Sequence, residues 1–163
     1  MCGLTGVLKL RGLCAEAPSV AVERMANTLV HRGPDDGGFW ADKEAGIALA
    51  HRRLSILDLS PAGHQPMASA SGRYVIAFNG EIYNHLDLRA SLERGSSEVA
   101  GLIKWQGHSD TETLLAGFDA WGIRETIKRC VGMFAFAVWD RKERILTLGR
   151  DRLGEKPLYY GWQ

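Results

Sequence analysis

Short apolar stretches of two different periods divide the chain. Leu4-Thr5-Gly6-Val7-Leu8-Lys9-Leu10 suits a strand that begins almost at the terminus. Over 19–31 the period lengthens: Val20, Met25 and Leu29 recur at helical spacing among Glu23, Arg24 and Asn27, and Gly33-Pro34 ends the pattern. Strand patterning returns over 46–51 and 74–78, the latter leading into Asn79-Gly80. A helix is predicted over 85–94, and another opens at Ser109-Asp110-Thr111-Glu112, a capping-box sequence ahead of Leu114, Leu115, Phe118 and Trp121, with Gly122 closing it. A short helix follows over 125–130. The apolar run 133–139 and the segment 145–148 then flank the charged turn 140–144 and predict a hairpin.

Helices inserted between groups of strands argue for an α+β fold with antiparallel sheet rather than a regular βαβ alternation. Because the run 133–139 has no polar face, its strand must be covered on both sides, as in a layered sandwich. The polar stretch 93–100 reads as a surface loop. The segments 31–37 and 61–66, rich in Gly, Pro and Asp, read as turns.

Composition narrows the function more than the fold. With 163 residues, 45% hydrophobic content, a net charge of +1 and no run of five like charges, the chain suits one domain with a core and no electrostatically recruited nucleic acid or membrane. A small-molecule partner fits better. Cys2, Cys14 and Cys130 are odd in number and lack C-x-x-C spacing, so reduced thiols in a cytoplasmic setting are expected. Lys9 and Arg11 break any apolar leader near the start. No histidine pair stands at ligand spacing, so no metal site is predicted, and neither His31 nor His64 is assigned catalysis. With no Gly-rich phosphate loop, this chain is not expected to bind ATP or a dinucleotide. Arg150-Asp151-Arg152 reads as an internal ion network. The end of the chain directly after a strand-like stretch suggests a fragment of a longer protein.

The candidate chemistry starts at Cys2. Removal of Met1 would leave one residue with a thiol and a free α-amine, groups that titrate near ~8.5 and ~7.7, so the amine can act as base for the thiol. Asn79-Gly80 after a strand is a hairpin-turn signal, and equally a side-chain amide and a backbone N–H able to meet the oxygen of a tetrahedral intermediate. Arg53 is either a solvated surface group or a planar clamp for an α-carboxylate, with Glu81 or Asp110 available for an α-ammonium. Asp110 also has a structural explanation in the first turn of a helix.

Met1-Cys2-Gly3, His31-Arg32-Gly33-Pro34-Asp35, Arg53-Leu54-Ser55-Ile56, Gly63-His64-Gln65-Pro66-Met67, Asn79-Gly80-Glu81-Ile82-Tyr83-Asn84, Ser109-Asp110-Thr111-Glu112 and Gly132-Met133-Phe134-Ala135-Phe136-Ala137, in this order, closely resemble the glutaminase domain of glutamine-hydrolysing asparagine synthetases. The segment from Arg150 to Tyr160 belongs to the same pattern. The resemblance implies a class II (type-2) glutamine amidotransferase domain over residues 1–163, with the four-layer αββα fold of N-terminal nucleophile hydrolases. It implies Cys2 as nucleophile and base, Asn79 and Gly80 as oxyanion hole, Arg53 on the glutamine carboxylate, and Glu81 and Asp110 on the ammonium. Backbone groups of Leu54, Ser55, Ile56 and Leu57 would complete the pocket. It also implies that glutamine is hydrolysed through a thioester and that ammonia passes to an attached synthetase domain, where ATP and magnesium would act; no cofactor is implied in this chain. A same-family amidotransferase serving another carboxylate and a catalytically silent glutamine-binding module remain alternatives, and oligomeric state is not legible.

Overall fold

The computed structural model describes residues 2–9, 17–55, 60–95 and 104–162. Strand β1 (Gly3–Leu8) starts one residue after Cys2, followed by helix α1 (Pro18–Asn27), strand β2 (Asp36–Asp42) and strand β3 (Ile47–Arg53). A two-residue strand β4 (Met67–Ala68) precedes the long β5 (Tyr74–Ile82). Helices α2 (His85–Arg94), α3 (Asp110–Trp121) and α4 (Ile123–Arg129) come next, then β6 (Gly132–Asp140) and β7 (Ile145–Arg150).

The strands form two antiparallel sheets, β1-β3-β2 and β4-β5-β6-β7. Side-chain alternation sorts every strand residue to one face or the other and so builds the layers. On β3, Ala48 and Ala50 meet Val22 and Ala26 of α1, whereas Ile47 and Leu49 turn inward onto Ala77, Ala137 and Trp139 of the second sheet. The opposite residues of β5 and β6, Tyr74, Ile76, Phe78, Phe134, Phe136 and Val138, pack under Leu88 of α2 and Leu114, Leu115 and Phe118 of α3. The order is therefore helix, sheet, sheet, helices. Sheet residues are small toward α1 and aromatic toward α3, where Phe118 meets both Tyr74 and Phe136 with ring centroids 5.9 and 6.2 Å away. Burying such a ring is worth roughly 1.5–3 kcal/mol, so the α3 side holds most of the apolar stabilisation.

Several elements depart from the sequence expectation. Asn79-Gly80 is not a turn: both residues continue β5, paired with Ala135 and Phe134. Gly80 is needed for close approach rather than for φ > 0, since a Cβ there would lie 2.3 Å from the Met133 carbonyl oxygen. Residues 36 and 37, read as the end of a turn, instead open strand β2, whose alternation Gly38, Phe39, Trp40 carries too few β-branched residues to signal itself. Half of the capping box forms: Ser109 Oγ accepts from Glu112 N at 3.2 Å, but the Glu112 carboxylate accepts from Gln106 N, Gly107 N and Arg89 Nη2 at 2.6, 3.1 and 3.0 Å. The Glu112 carboxylate thereby holds the segment that leads into α3. The predicted loop 93–100 and Cys14 fall largely or wholly outside the described residues. Among the described residues no helix is long and apolar enough to cross a membrane.

Candidate active site

The alternation that makes the layers also makes the site. Cys2 shares the inward register of Leu4, Arg53 that of Ile47 and Leu49, and Asn79 and Glu81 that of Ala77. Residues from both sheets thus converge where the inter-sheet space opens at the end of the strands. There a cavity of about 120 Å³ is lined by Cys2, Arg53, Asn79, Gly80, Glu81 and Asp110, among others. That is small against the ~300–1,000 Å³ of pockets for drug-sized ligands and suits a molecule the size of an amino acid.

Among the described residues the thiol is held by Leu54. Leu54 N donates to Cys2 Sγ at 3.3 Å, and Sγ donates to Leu54 O at 3.6 Å. Leu54 therefore bridges the start of β1 and the end of β3, which fixes a nucleophile that the terminus alone would leave loose. Next along, Arg53 is buried and donates from Nη1 to Ser60 O at 3.0 Å. Its other nitrogen presses on Gly63, where a Cβ would stand 2.0 Å from Arg53 Nη2, so only glycine allows the 60–63 turn to lie over the guanidinium.

On the opposite wall the backbone supplies the donors. Tyr83 N donates to Val131 O at 2.8 Å, so Asn79 and Glu81 spend their backbone groups on β6, and Phe78, Gly80 and Ile82 direct theirs at the other edge of β5. Strand β4 covers that edge only at Val75 and Ile76. Beyond it side chains take over: Gln65 Oε1 accepts from Phe78 N at 2.7 Å and Asp110 Oδ2 accepts from Ile82 N at 2.9 Å. Between these two anchors the Gly80 N–H faces the cavity with no partner among the described residues. The Asn79 carboxamide, buried beside it, also has none.

Charges in the cavity come in both signs. Arg53 and the buried Lys156 bring cations, and Glu81 and Asp110 bring carboxylates. Burial pushes the Asp110 carboxyl above its ordinary range, and the nearby Glu81 adds to this, against the lowering effect of the Ile82 N–H and of His85. An ammonium delivered to the cavity would relieve that cost. The pattern of one guanidinium and two carboxylates around a thiol complements a zwitterionic amino acid whose side chain reaches Sγ.

The family model for a glutamine amidotransferase domain matches residues 1–163. The chain belongs to this family of glutamine amidotransferase domains. It is 37% identical over 162 residues to asparagine synthetase [glutamine-hydrolyzing] 3 of Bacillus subtilis, covering 98% of this chain and 25% of that protein. It is 40% identical over 162 residues to asparagine synthetase B [glutamine-hydrolyzing] of Escherichia coli, covering 99% and 27%. The amidotransferase domain thus spans about a quarter of the length of these relatives. The solved structure of glutamine phosphoribosylpyrophosphate amidotransferase from B. subtilis superposes with a TM-score of 0.69 at 19% identity, over 91% of this chain and 37% of that one. That likeness shows the fold, a layered α+β sandwich of two antiparallel sheets between helices.

Of the site residues expected from sequence, the amidotransferase fold brings Cys2, Arg53, Leu54, Asn79, Gly80, Glu81 and Asp110 to one cavity. Ser55 is not on its wall; Ser55 N donates instead to Asp35 Oδ2 at 2.8 Å. Ile56 and Leu57 lie outside the described residues. Arg150-Asp151-Arg152 is no ion network: Asp151 accepts backbone N–H groups, and Arg152 donates to the carbonyls of Cys130 and Lys128, each at 3.3 Å. Cys130, the other described thiol, is buried against α4 and pushed up to about 12 by desolvation, so it is inert. Sequence reasoning gave no role to Gln65 or Thr111, whose only signal was membership of the quoted motifs. Among the described residues no group of three or more His, Cys, Asp or Glu is placed to hold a metal.

Proposed function

We propose that this domain hydrolyses glutamine to glutamate and ammonia through a thioester on Cys2. The observation that carries the reading is the convergence of the Cys2 thiol, the Arg53 guanidinium, the two carboxylates and the unpartnered Asn79 and Gly80 donors on one amino-acid-sized cavity. With Met1 removed, the Cys2 α-amine takes the thiol proton as Sγ attacks the side-chain amide carbon of glutamine. The oxyanion that forms is met by the Asn79 carboxamide and the Gly80 N–H, donors that are already in place and desolvated. Collapse passes the proton to the leaving nitrogen, releasing ammonia and leaving the acyl group on sulfur. Water, deprotonated by the same amine, then hydrolyses the thioester to glutamate and restores the thiol. Arg53 holds the substrate carboxylate, while Glu81 and Asp110 hold its ammonium.

The ammonia is consumed by an attached ATP- and magnesium-dependent synthetase domain that makes asparagine from aspartate in the cytoplasm. The names of the relatives and the quarter share of their length that this chain covers support that assignment. Intact mass before and after a diazo-ketone analogue of glutamine tests the reading. A mass lacking Met1 and one adduct on Cys2 support it; retained Met1 with no adduct overturns it in favour of a silent binding module. Cys2→Ala abolishes turnover while retaining glutamine binding, and residual turnover in that variant would remove Cys2 from the mechanism.

A further inference from the structure

His51 is buried at 1% exposure between the two sheets, and its Nε2 lies 2.9 Å from Phe78 O. A carbonyl oxygen only accepts, so Nε2 carries the proton and the neutral ring leaves Nδ1 as a bare acceptor. Nδ1 has no partner among the described residues. A buried polar atom left open costs about 1–3 kcal/mol, which an apolar residue at 51 would avoid. The histidine therefore has a use for its other nitrogen. Phe78 sits where β4 has ended and β5 would be a bare edge; Gln65 takes its N–H and His51 takes its C=O. Together the two side chains stand in for a missing strand for one residue.

We infer that His51 and Gln65 are positioning residues for the oxyanion donors, clamping the two peptide units that flank Phe78 so that the Asn79 carboxamide and the Gly80 N–H keep their aim into the cavity. The clamp lies two residues before Gly80 on the same edge, and the Asp110 to Ile82 N bond lies two residues after it. Gly80 itself can take no side-chain buttress, because β6 occupies the space where its Cβ would stand. Its orientation depends on these flanking anchors. The ring stays neutral because burial depresses its pKa to about 4, with Arg53 and His64 adding to the effect and Asp36 and the Phe78 carbonyl opposing it. The clamp thus holds unchanged across the neutral range.

The inference rests on the proposed hydrolysis, and its test separates the two. In the full chain, His51→Leu should lower kcat about tenfold with KM within twofold of wild type, a fraction of the ~100-fold that a 1 Å misplacement can cost. His51→Gln, whose Nε2 can reach the same carbonyl, should recover most of the loss; His51→Asn, one methylene shorter, should stay as slow as the leucine variant. Gln65→Met should repeat the kcat loss from the other side of the same residue, through the Phe78 N–H. Equal kcat in all variants, glutamine at 51 as slow as leucine, or KM rising in step with the fall in kcat each overturns the role. Nitrogen-15 NMR of the imidazole gives a readout independent of turnover: an Nε2–H tautomer between pH 6 and 8 is expected, and an Nδ1–H tautomer or an imidazolium overturns the clamp. A wild-type chain that shows the Nε2–H signal but releases no ammonia overturns hydrolysis, and the positioning role with it.

Discussion

Asp110 and Asp151 are buried alike, at 5% and 6% exposure, and both accept backbone N–H groups, yet their carboxyls are driven in opposite directions. Asp151 accepts from Phe134, Leu153, Glu155 and Lys156 N, at 3.2, 3.1, 2.9 and 3.0 Å, two donors on each oxygen. Burial alone would raise its pKa, but those N–H groups outweigh it and hold the carboxyl at about 2. Asp110 has one good donor, Ile82 N, while Thr111 Oγ1 reaches its other oxygen only at 3.5 Å. There desolvation wins. A carboxylate saturated by backbone is a structural pin for the turn after β7; one that is desolvated and half-satisfied on a cavity wall has capacity kept for a ligand.

Neutralising each carboxylate should therefore give opposite results. Asp151→Asn places an amide NH₂ against N–H donors, stranding about two of them at ~1–3 kcal/mol each, so unfolding free energy should fall by about 3 kcal/mol. Glutamine KM in the folded protein should stay put. A urea midpoint within 0.5 M of wild type would show that the turn does not need the charge. The pH dependence sharpens this. With a depressed folded pKa, the Asp151 contribution is complete above the ordinary 3.8 and lost as pH falls through about 2, so the variant should have a flatter acid limb. Asp110, with its pKa raised, weakens the fold once it ionises above 3.8, so Asp110→Asn should leave stability equal or higher near neutrality.

Asp110→Asn keeps the shape and an acceptor for Ile82 N but loses the charge offered to the substrate ammonium. KM for glutamine should rise about tenfold with kcat little changed, a step of ~1.4 kcal/mol that fits one charge-assisted bond. An unchanged KM alongside raised stability would make Asp110 a helix-terminal residue only. Arg53→Lys probes the other pole of the same substrate: a bidentate clamp becomes a point charge, and KM should rise severalfold, more than kcat falls. Equal KM would remove Arg53 from the carboxylate.

This contrast was half legible in the sequence. Asp110 announced itself by following Ser109 ahead of an apolar helix, and the layered fold followed from the two-sided apolar run that became β6. Asp151, between Arg150 and Arg152, looked like a partner for their charges, because sequence cannot show how many backbone N–H groups a turn will aim at one side chain. Asn79-Gly80 misled in the same way: the pair has turn propensity, but β6 lies against it in register, and tertiary pairing overrode the local signal. Cys2 and Arg53 were legible as chemistry, while His51 and Gln65 were not, because their partner is a peptide group of another strand, more than a dozen residues away.

Thr111 offers the finest cut between the two aspartates. Its hydroxyl accepts from Gln65 Nε2 at 3.3 Å and makes the weak 3.5 Å contact to Asp110 Oδ1, so it joins the clamp on Phe78 to the carboxylate on Ile82. Thr111→Val conserves volume and removes only that link, leaving Gln65 Nε2 without its acceptor at a cost of about 1 kcal/mol in stability. Because the contact to Asp110 is long, KM should rise only about threefold, well below the effect of Asp110→Asn. A KM change as large as that of Asp110→Asn would mean that the hydroxyl, and not burial alone, sets the state of the carboxylate. Loss of stability with no change in KM would confine Thr111 to holding Gln65.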